Sequence, residues 1–270
     1  MSRTFRKSAS PAAILTEVHS LHWLSEAVPQ GGAAVAELVG FSENWLETRM
    51  LDAASPSPVD ARSFGRRLAL THAAGADFFG AVPPGLPVRD AVLAELPSPS
   101  LPEPLYDTWG EFFAELRLAP YMTLAASEGA FDRAQADRLW MLIDRVAHGD
   151  FDADQPQAVH RSGPSPAVAR VHGDLWGGNI VWARTDDGAV GTLIDPSAHG
   201  GHAETDLAEL GVFGSPHLKA TLAGYQEVSP LADGWLERLP VHQLHMLLVH
   251  VVKFGGGYVS QTVQVAERFT

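Results

Sequence analysis

Apolar positions along the chain recur with two different periods, and the change from one to the other divides it. Residues 4–7 read as a short strand. Behind Pro11, which suits a first helical turn, Ile14, Leu15, Val18, Leu21 and Leu24 fall near helical spacing and predict a helix over 11–28, ended by Gly31-Gly32. Residues 35–39 and 45–50 read as strands about the polar turn Ser42-Glu43-Asn44. This first unit is small, rich in strand and carries one helix.

Residues 53–59, with Pro56 and Pro58, read as a linker into a mainly helical remainder. Phe64, Leu68 and His72 share one face of a helix predicted over 59–79, and further helices are expected over 109–118 and 131–147. The proline-rich stretch 82–104 reads as a surface excursion. Residues 168–171, 180–182 and 190–194 look extended, and Asp187-Gly188 between the last two is a hairpin signal. Residues 241–254 form an apolar helical pattern that stops at Gly255-Gly256-Gly257. No repeat of 20 to 50 residues, on the order expected for solenoids, interrupts this plan.

Composition narrows the class. In 270 residues, 46% are apolar and 19% charged, which excludes a disordered chain, and no apolar run approaches the roughly 20 residues that span a bilayer. The basic start, Met1 to Lys7, has no apolar stretch behind it, so no secretory signal is expected and the cytoplasm is the expected location. The absence of cysteine excludes disulfides, thiolate catalysis and cysteine metal sites. Nineteen Lys plus Arg against 32 Asp plus Glu, a net charge of -13, opposes general affinity for nucleic acid or an anionic membrane. A small molecule is the expected partner. Three lysines only, Lys7, Lys219 and Lys253, stand among the cations, which makes each worth inspecting.

The densest chemistry lies in His172-Gly-Asp-Leu-Trp-Gly-Gly-Asn179, followed by Leu193-Ile-Asp-Pro196. Asn179 and Asp195 lie symmetrically about Asp187, so a hairpin turning there returns them to about one residue of register, roughly 5 Å between facing residues. Two oxygen ligands then sit together, the set that Mg²⁺ accepts alongside phosphate oxygens and water. Asp174, five residues before Asn179 across a glycine-rich loop, can face the same point as a base for a substrate hydroxyl. Singly, each feature also reads as an ordinary turn, hairpin or strand end.

Jointly, the pattern resembles the phosphotransfer loop of protein-kinase-like enzymes, and its His-Gly-Asp spelling resembles small-molecule kinases related to aminoglycoside phosphotransferases. Within that group, the loop, Ile194-Asp-Pro196, Gly201-His-Ala-Glu-Thr-Asp-Leu-Ala208, Phe254-Gly-Gly-Gly-Tyr258 and the run Trp109, Phe112, Phe113, Arg117, Leu118, Pro120 are similar to the fructosamine kinase, or ketosamine 3-kinase, family. The resemblance implies an α+β, two-lobed protein-kinase-like fold. Residues 1–51 would form a truncated small β lobe, and residues 52–270 a mainly helical large lobe. Relatives begin with two more strands and a glycine-rich phosphate loop, for which there is no room before Lys7; a short natural form or a misassigned start is expected to account for this.

The resemblance also implies transfer of the ATP γ-phosphoryl group to the 3-hydroxyl of a ketosamine, a small-molecule or glycated amine or protein, with ATP and Mg²⁺ as cofactors. Asp174 is the implied catalytic base, and Asn179 and Asp195 the metal ligands. Lys7 and Glu17 match the kinase pair in which a helix glutamate positions a phosphate-binding lysine, although such a pair is otherwise an ordinary surface contact. Leu46, Glu47 and Thr48 would offer backbone groups to adenine. Trp176 reads equally as a core residue and as a platform for a sugar face. His199, His202 and Glu204 look like a zinc cluster, but the kinase reading turns His202 and Glu204 toward substrate instead and gives Asp206 the support of the catalytic loop. Two alternatives stay open: a kinase for an aminoglycoside, amino alcohol or similar acceptor, and a nucleotide-binding pseudokinase.

Overall fold

The computed structural model describes residues 3–162 and 167–270, without the side chains of Arg161 and Ser162; Met1 and Ser2 of the basic start fall outside these residues. In chain order the elements are β1 (Thr4–Ser8), α1 (Pro11–Ser25), β2 (Ala34–Val35), β3 (Leu38–Ser42), β4 (Trp45–Arg49), α2 (Pro58–Ala73), β5 (Val92–Leu93) and β6 (Leu96–Pro97). There follow α3 (Trp109–Phe112), a π-helical segment (Phe113–Leu118), α4 (Ala119–Ser127), α5 (Arg133–Ala147), α6 (Gln157–Ser162), β7 (Ala169–Val171), β8 (Ile180–Thr185), β9 (Gly188–Leu193) and β10 (His199–Gly201). Helices α7 (Ala203–Val212), α8 (Leu218–Val228), α9 (Trp235–Phe254) and α10 (Gly257–Phe269) complete the chain.

The small lobe is the antiparallel sheet β1-β4-β3 with α1 laid against it. Ser10 caps α1 by accepting from the Ala13 N–H, and Pro11 occupies the first turn, where its missing donor costs nothing. Ile14 and Val18 of that helix meet Leu46 in a small separate core, whereas Trp23 and Leu24, two turns on, belong to the main one. One helix therefore packs into both lobes. The strand expected over 35–39 is broken, because the chain changes sheets there: Ala34 and Val35 run parallel to Thr192 and Leu193, and Leu38 turns to pair with Thr48.

The large lobe is mainly helical. Its active edge is the β8–β9 hairpin, in register from Ile180 opposite Leu193 to Thr185 opposite Gly188. The two loop residues are Asp186 and Asp187, one place earlier than the expected Asp187-Gly188, since Gly188 already pairs and takes φ +142° where a Cβ would strike Asp60. Residues 82–104 are no surface excursion. Leu86, Ala91 and Leu93 are buried, and Thr16 of α1 donates to the Asp90 carbonyl while accepting from the Val92 N–H, so the β5–β6 hairpin is held across the mouth between the lobes. Ala94 and Glu95 turn that hairpin in the left-handed region. Helix α9 begins six residues before its expected start, and α10 extends beyond the three glycines. Among the described residues, no helix is long and apolar enough to cross a membrane.

Helices α2 and α8 approach until backbone meets backbone. A Cβ on Gly65 would collide with the Thr221 carbonyl, and one on Gly224 with the carbonyl of Arg62. Neither neighbour is a side chain that can swing away. Gly224→Ala should therefore destabilise the chain by about 1–3 kcal/mol through forced separation of the two helices. A fall in the urea midpoint at unchanged slope checks this; an unchanged midpoint would show that the helices do not need this approach.

Candidate active site

The loop expected to carry the base leaves β7 at His172 and is shaped from beneath by one carboxylate. Asp206, in the first turn of α7, accepts from the His172 N–H at 2.7 Å and the Gly173 N–H at 3.1 Å, and its third partner is His72 Nε2 at 3.0 Å. Burial alone would raise this carboxyl, but the bonds from His72 and the loop amides outweigh it and hold Asp206 below the usual range. Gly173 takes φ +79°, and a Cβ there would run into the Ser197 carbonyl, so the loop needs glycine at this point. Glu209, one turn further along α7, accepts from the Leu175 N–H at 2.8 Å.

His172 carries the order across to the other strand end. Its Nε2 donates to the Ile194 carbonyl at 2.9 Å and its own carbonyl accepts from the Ser197 N–H at 3.0 Å, fixing the segment that presents Asp195. Asp195 itself stands at φ +52°, a left-handed conformation that aspartate tolerates better than most residues. Asn179 lies opposite Ile194, whose N–H donates to its carbonyl at 3.1 Å, so Asp195 is one residue past register. The amide Nδ2 of Asn179 donates to the Asp174 carbonyl at 2.8 Å and to Asp174 Oδ2 at 2.9 Å. With the nitrogen spent, Asn179 Oδ1 is the atom left to ligate.

Lys7, on β1, closes the set. Its ammonium lies 2.5 Å from Glu17 Oε2 and 2.7 Å from Asp195 Oδ1. Burial works against the Lys7 charge, but the two carboxylates outweigh it and raise its pKa, while burial pushes Glu17 up to about 7 against the pull of Lys7. Burial likewise pushes Asp174 up to about 7, aided by repulsion from Asp195 and Asp206 and opposed by the Asn179 bond and by Lys253. Lys7, Glu17, Asp174, Asn179 and Asp195 all border one cleft of about 330 Å³. Its oxygen donors, an amide and a carboxylate side by side, are hard ligands of the kind Mg²⁺ takes, so the residues fit that ion. A second hollow of about 140 Å³ opens beside Asp174, lined by Trp176, Met246, Val249, His250 and Phe254. Trp176 meets Phe213 edge-on and is half-buried, leaving indole surface facing both hollows.

Other expected site residues lie elsewhere. Glu47 and Thr48 sit within β4, the central strand, where their backbone groups face β1 on one side and β3 on the other. The Glu47 carboxylate is held by Thr4 and Arg6. Neither residue stands free at the lobe junction. His202 and Glu204 are buried and border neither hollow. Glu204 is gripped by Arg238 at 2.7 and 3.0 Å and by His242 Nε2 at 3.3 Å.

His202, Glu204 and His242 also offer ligand atoms within 4.8 Å of one another, which revives the zinc question. Hydrogen bonding answers it. His202 Nδ1 accepts from the Glu204 N–H and Nε2 donates to the Ala153 carbonyl; His242 Nε2 donates to Glu204, leaving Nδ1 to accept from the Thr205 hydroxyl. Each imidazole lone pair is used, and Arg238 supplies the positive charge a metal would. The group is a structural ion cluster. Sequence reasoning placed His72 only on a helix face and passed over Glu209, since nothing in their spacing links either to the loop.

Comparison with known proteins follows this geometry. The family model described as Fructosamine kinase matches residues 5–270. YniA of Escherichia coli K12, described as a probable ketoamine kinase, is 32% identical over 233 residues, covering 81% of this chain and 68% of that protein. The chain spans only about half the length of other curated relatives it matches, such as those from Enterococcus faecium, at 53%, and Synechocystis, at 50%. The crystal structure of a protein named as a fructosamine-3-kinase from Thermobifida fusca superposes with a TM-score of 0.82 at 37% identity, covering 98% of this chain and 85% of that one. A macrolide 2'-phosphotransferase from Brachybacterium faecium, at 15% identity and a TM-score of 0.52 over 100% of this chain and 86% of that one, shares the fold. The two-lobed, protein-kinase-like architecture is thus shared with both solved structures.

The buried ion cluster generates a test. Burial would raise the Glu204 carboxyl, yet His242 and Arg238 together hold it at about 2. A depressed folded pKa means that Glu204 contributes stability above the ordinary carboxylate range, and that this contribution is lost as pH falls from about 4.5 toward 2. Glu204→Gln, which strands the Arg238 charge, should cost about 3 kcal/mol at neutral pH and flatten the acid limb of stability, with nucleotide and acceptor KM unchanged. Denaturant melts from pH 2 to 7 with parallel kinetics check this. Unaltered stability with a raised acceptor KM would return Glu204 to the substrate site.

Proposed function

The chain belongs to the fructosamine kinase family, and from that premise we propose that it transfers the γ-phosphoryl group of ATP to the 3-hydroxyl of a ketosamine, a fructosamine or ribulosamine borne on a small amine or a protein. The observation that carries the reading is the convergence of Lys7, Glu17, Asp174, Asn179 and Asp195 on one cleft, with a second hollow beside Asp174 for an acceptor. Each role follows from placement. Lys7, held by Glu17, binds triphosphate oxygens. Asn179 and Asp195 would hold Mg²⁺, which when bound neutralises phosphate charge.

Asp174 faces the acceptor. With its pKa pushed up to about 7, it is matched to taking a hydroxyl proton near neutral pH, and its bond from Asn179 aims the carboxylate. Trp176 offers an apolar face against which the sugar ring stacks, and the buried Met246 and Val249 form the apolar wall behind it. Phosphorylation at this position destabilises the sugar–amine bond and so frees the amine. The cytoplasm is the compartment in which we place this reaction.

The test incubates the purified chain with Mg-ATP and a fructosamine or ribulosamine and follows sugar phosphorylation by mass. Asp174→Asn should lower turnover by about 10²- to 10⁴-fold, while Mg-ATP affinity stays within a few fold, because a proton acceptor and not a metal ligand is removed. Wild-type turnover in the variant would remove Asp174 from the mechanism. Phosphorylation of other hydroxyl compounds but of no ketosamine would reassign the acceptor, and no phosphorylation of any would leave a nucleotide-binding role.

A further inference from the structure

The two hollows described above meet along a common border. Five residues line both of them: Leu93, Ala94, Asp174, Trp176 and Lys253. A group handed from a donor in the larger hollow to an acceptor in the smaller one must cross that border. Only two of the five carry charge, Asp174 and Lys253.

Lys253 lies in the last turn of α9. Its ammonium donates to the Ala94 carbonyl at the tip of the β5–β6 hairpin and, among the described residues, has no carboxylate at ion-pair distance. The nearby Glu95 carboxylate is spent on the backbone N–H and hydroxyl of Ser10. Lys7 differs, since Glu17 and Asp195 already balance its charge. An ammonium has three donors, so Lys253 keeps two after serving Ala94. The charge also reaches Asp174, whose carboxyl it pulls down against the effect of burial.

We propose that Lys253 is a further catalytic residue, whose ammonium contacts the phosphoryl group in transit between the two hollows. The inference rests on the kinase reading of the site. In the step it serves, the acceptor hydroxyl passes its proton to Asp174 as its oxygen bonds to the γ-phosphorus of ATP. The bond from that phosphorus to the β,γ-bridging oxygen breaks, and ADP leaves with the electron pair. Lys253 stabilises the charge on the equatorial oxygens, where a donor already held in place by the Ala94 carbonyl is most effective. The Ala94 carbonyl, set on a hairpin that Ser10 and Thr16 hold to α1, aims it.

Lys253→Gln and Lys253→Arg separate this role from that of a structural pin. Glutamine keeps an N–H donor for Ala94 but loses the charge, and arginine restores the charge. Three quantities are measured for each: turnover with a ketosamine, slow hydrolysis of Mg-ATP in which water replaces the acceptor, and Mg-ATP affinity by calorimetry. For Lys253→Gln, both turnover numbers should fall by about tenfold or more while Mg-ATP affinity, acceptor KM and melting temperature hold within about twofold or 2 °C, and Lys253→Arg should recover most of the loss. Turnover within about twofold of wild type in the glutamine variant would overturn the proposal, as would a loss matched by weaker Mg-ATP binding or a lowered melting temperature. If the wild-type chain hydrolyses Mg-ATP in a Lys253-dependent way yet phosphorylates no ketosamine, the acceptor assignment fails and the role of Lys253 stands.

Discussion

The carboxylate of Asp206, sealed from solvent, is the constraint from which the active edge of this molecule is built. A buried charge without partners costs several kcal/mol, and here it is met by three donors, two of them backbone groups of the catalytic loop. From there the order spreads by hydrogen bonds: His172 to the carbonyl of Ile194, Ile194 to Asp195 along the chain, and Asp195 to Lys7 and through it to Glu17. Asp174, Asn179, Asp195 and Lys7 thus share one frame, although Lys7 is far from the other three in the sequence.

Charge is distributed with the same economy. The chain as a whole, at -13, repels a triphosphate, so attraction has to be local. Of its three lysines, Lys7 and Lys253 border the cleft. The acidic surplus is partly consumed inside: Glu204 against Arg238 and His242, Asp206 against the loop amides. These buried groups set positions, while the cleft residues are left to exchange charge with what enters it.

Much of this was legible in the sequence, because spacing about a hairpin is a linear quantity. Asn179 and Asp195 could be paired by counting, and a turn misplaced by one residue does not separate them, since both flank the open end. The pairing of Lys7 with Glu17 came from resemblance, and one helix after one strand leaves little room for other outcomes. What failed was direction. Sequence shows that Glu204 and His202 stand near Asp206 but not that Glu204 turns inward to Arg238 and His202 to the Ala153 carbonyl, since the place of Arg238 on α9 is a tertiary fact. Glu47 and Thr48 were given to adenine by resemblance, although the strand expected over 45–50 already contains them, and pairing of β4 with β1 and β3 takes up their backbone. Residues 82–104 misled for the opposite reason: proline-rich composition reads as loop, and only contact with α1 shows it to be a fixed part of the site.

That segment also bears on how the cleft opens. The β5–β6 hairpin is tied to the start of α1 through Glu95 and Ser10 and to the end of α9 through Ala94 and Lys253, so it fastens one lobe to the other across the entrance. Any swing that widens the cleft has to release one of these ties first. On the kinase reading proposed above, exchange of nucleotide and acceptor through that entrance would be coupled to the release of this clasp.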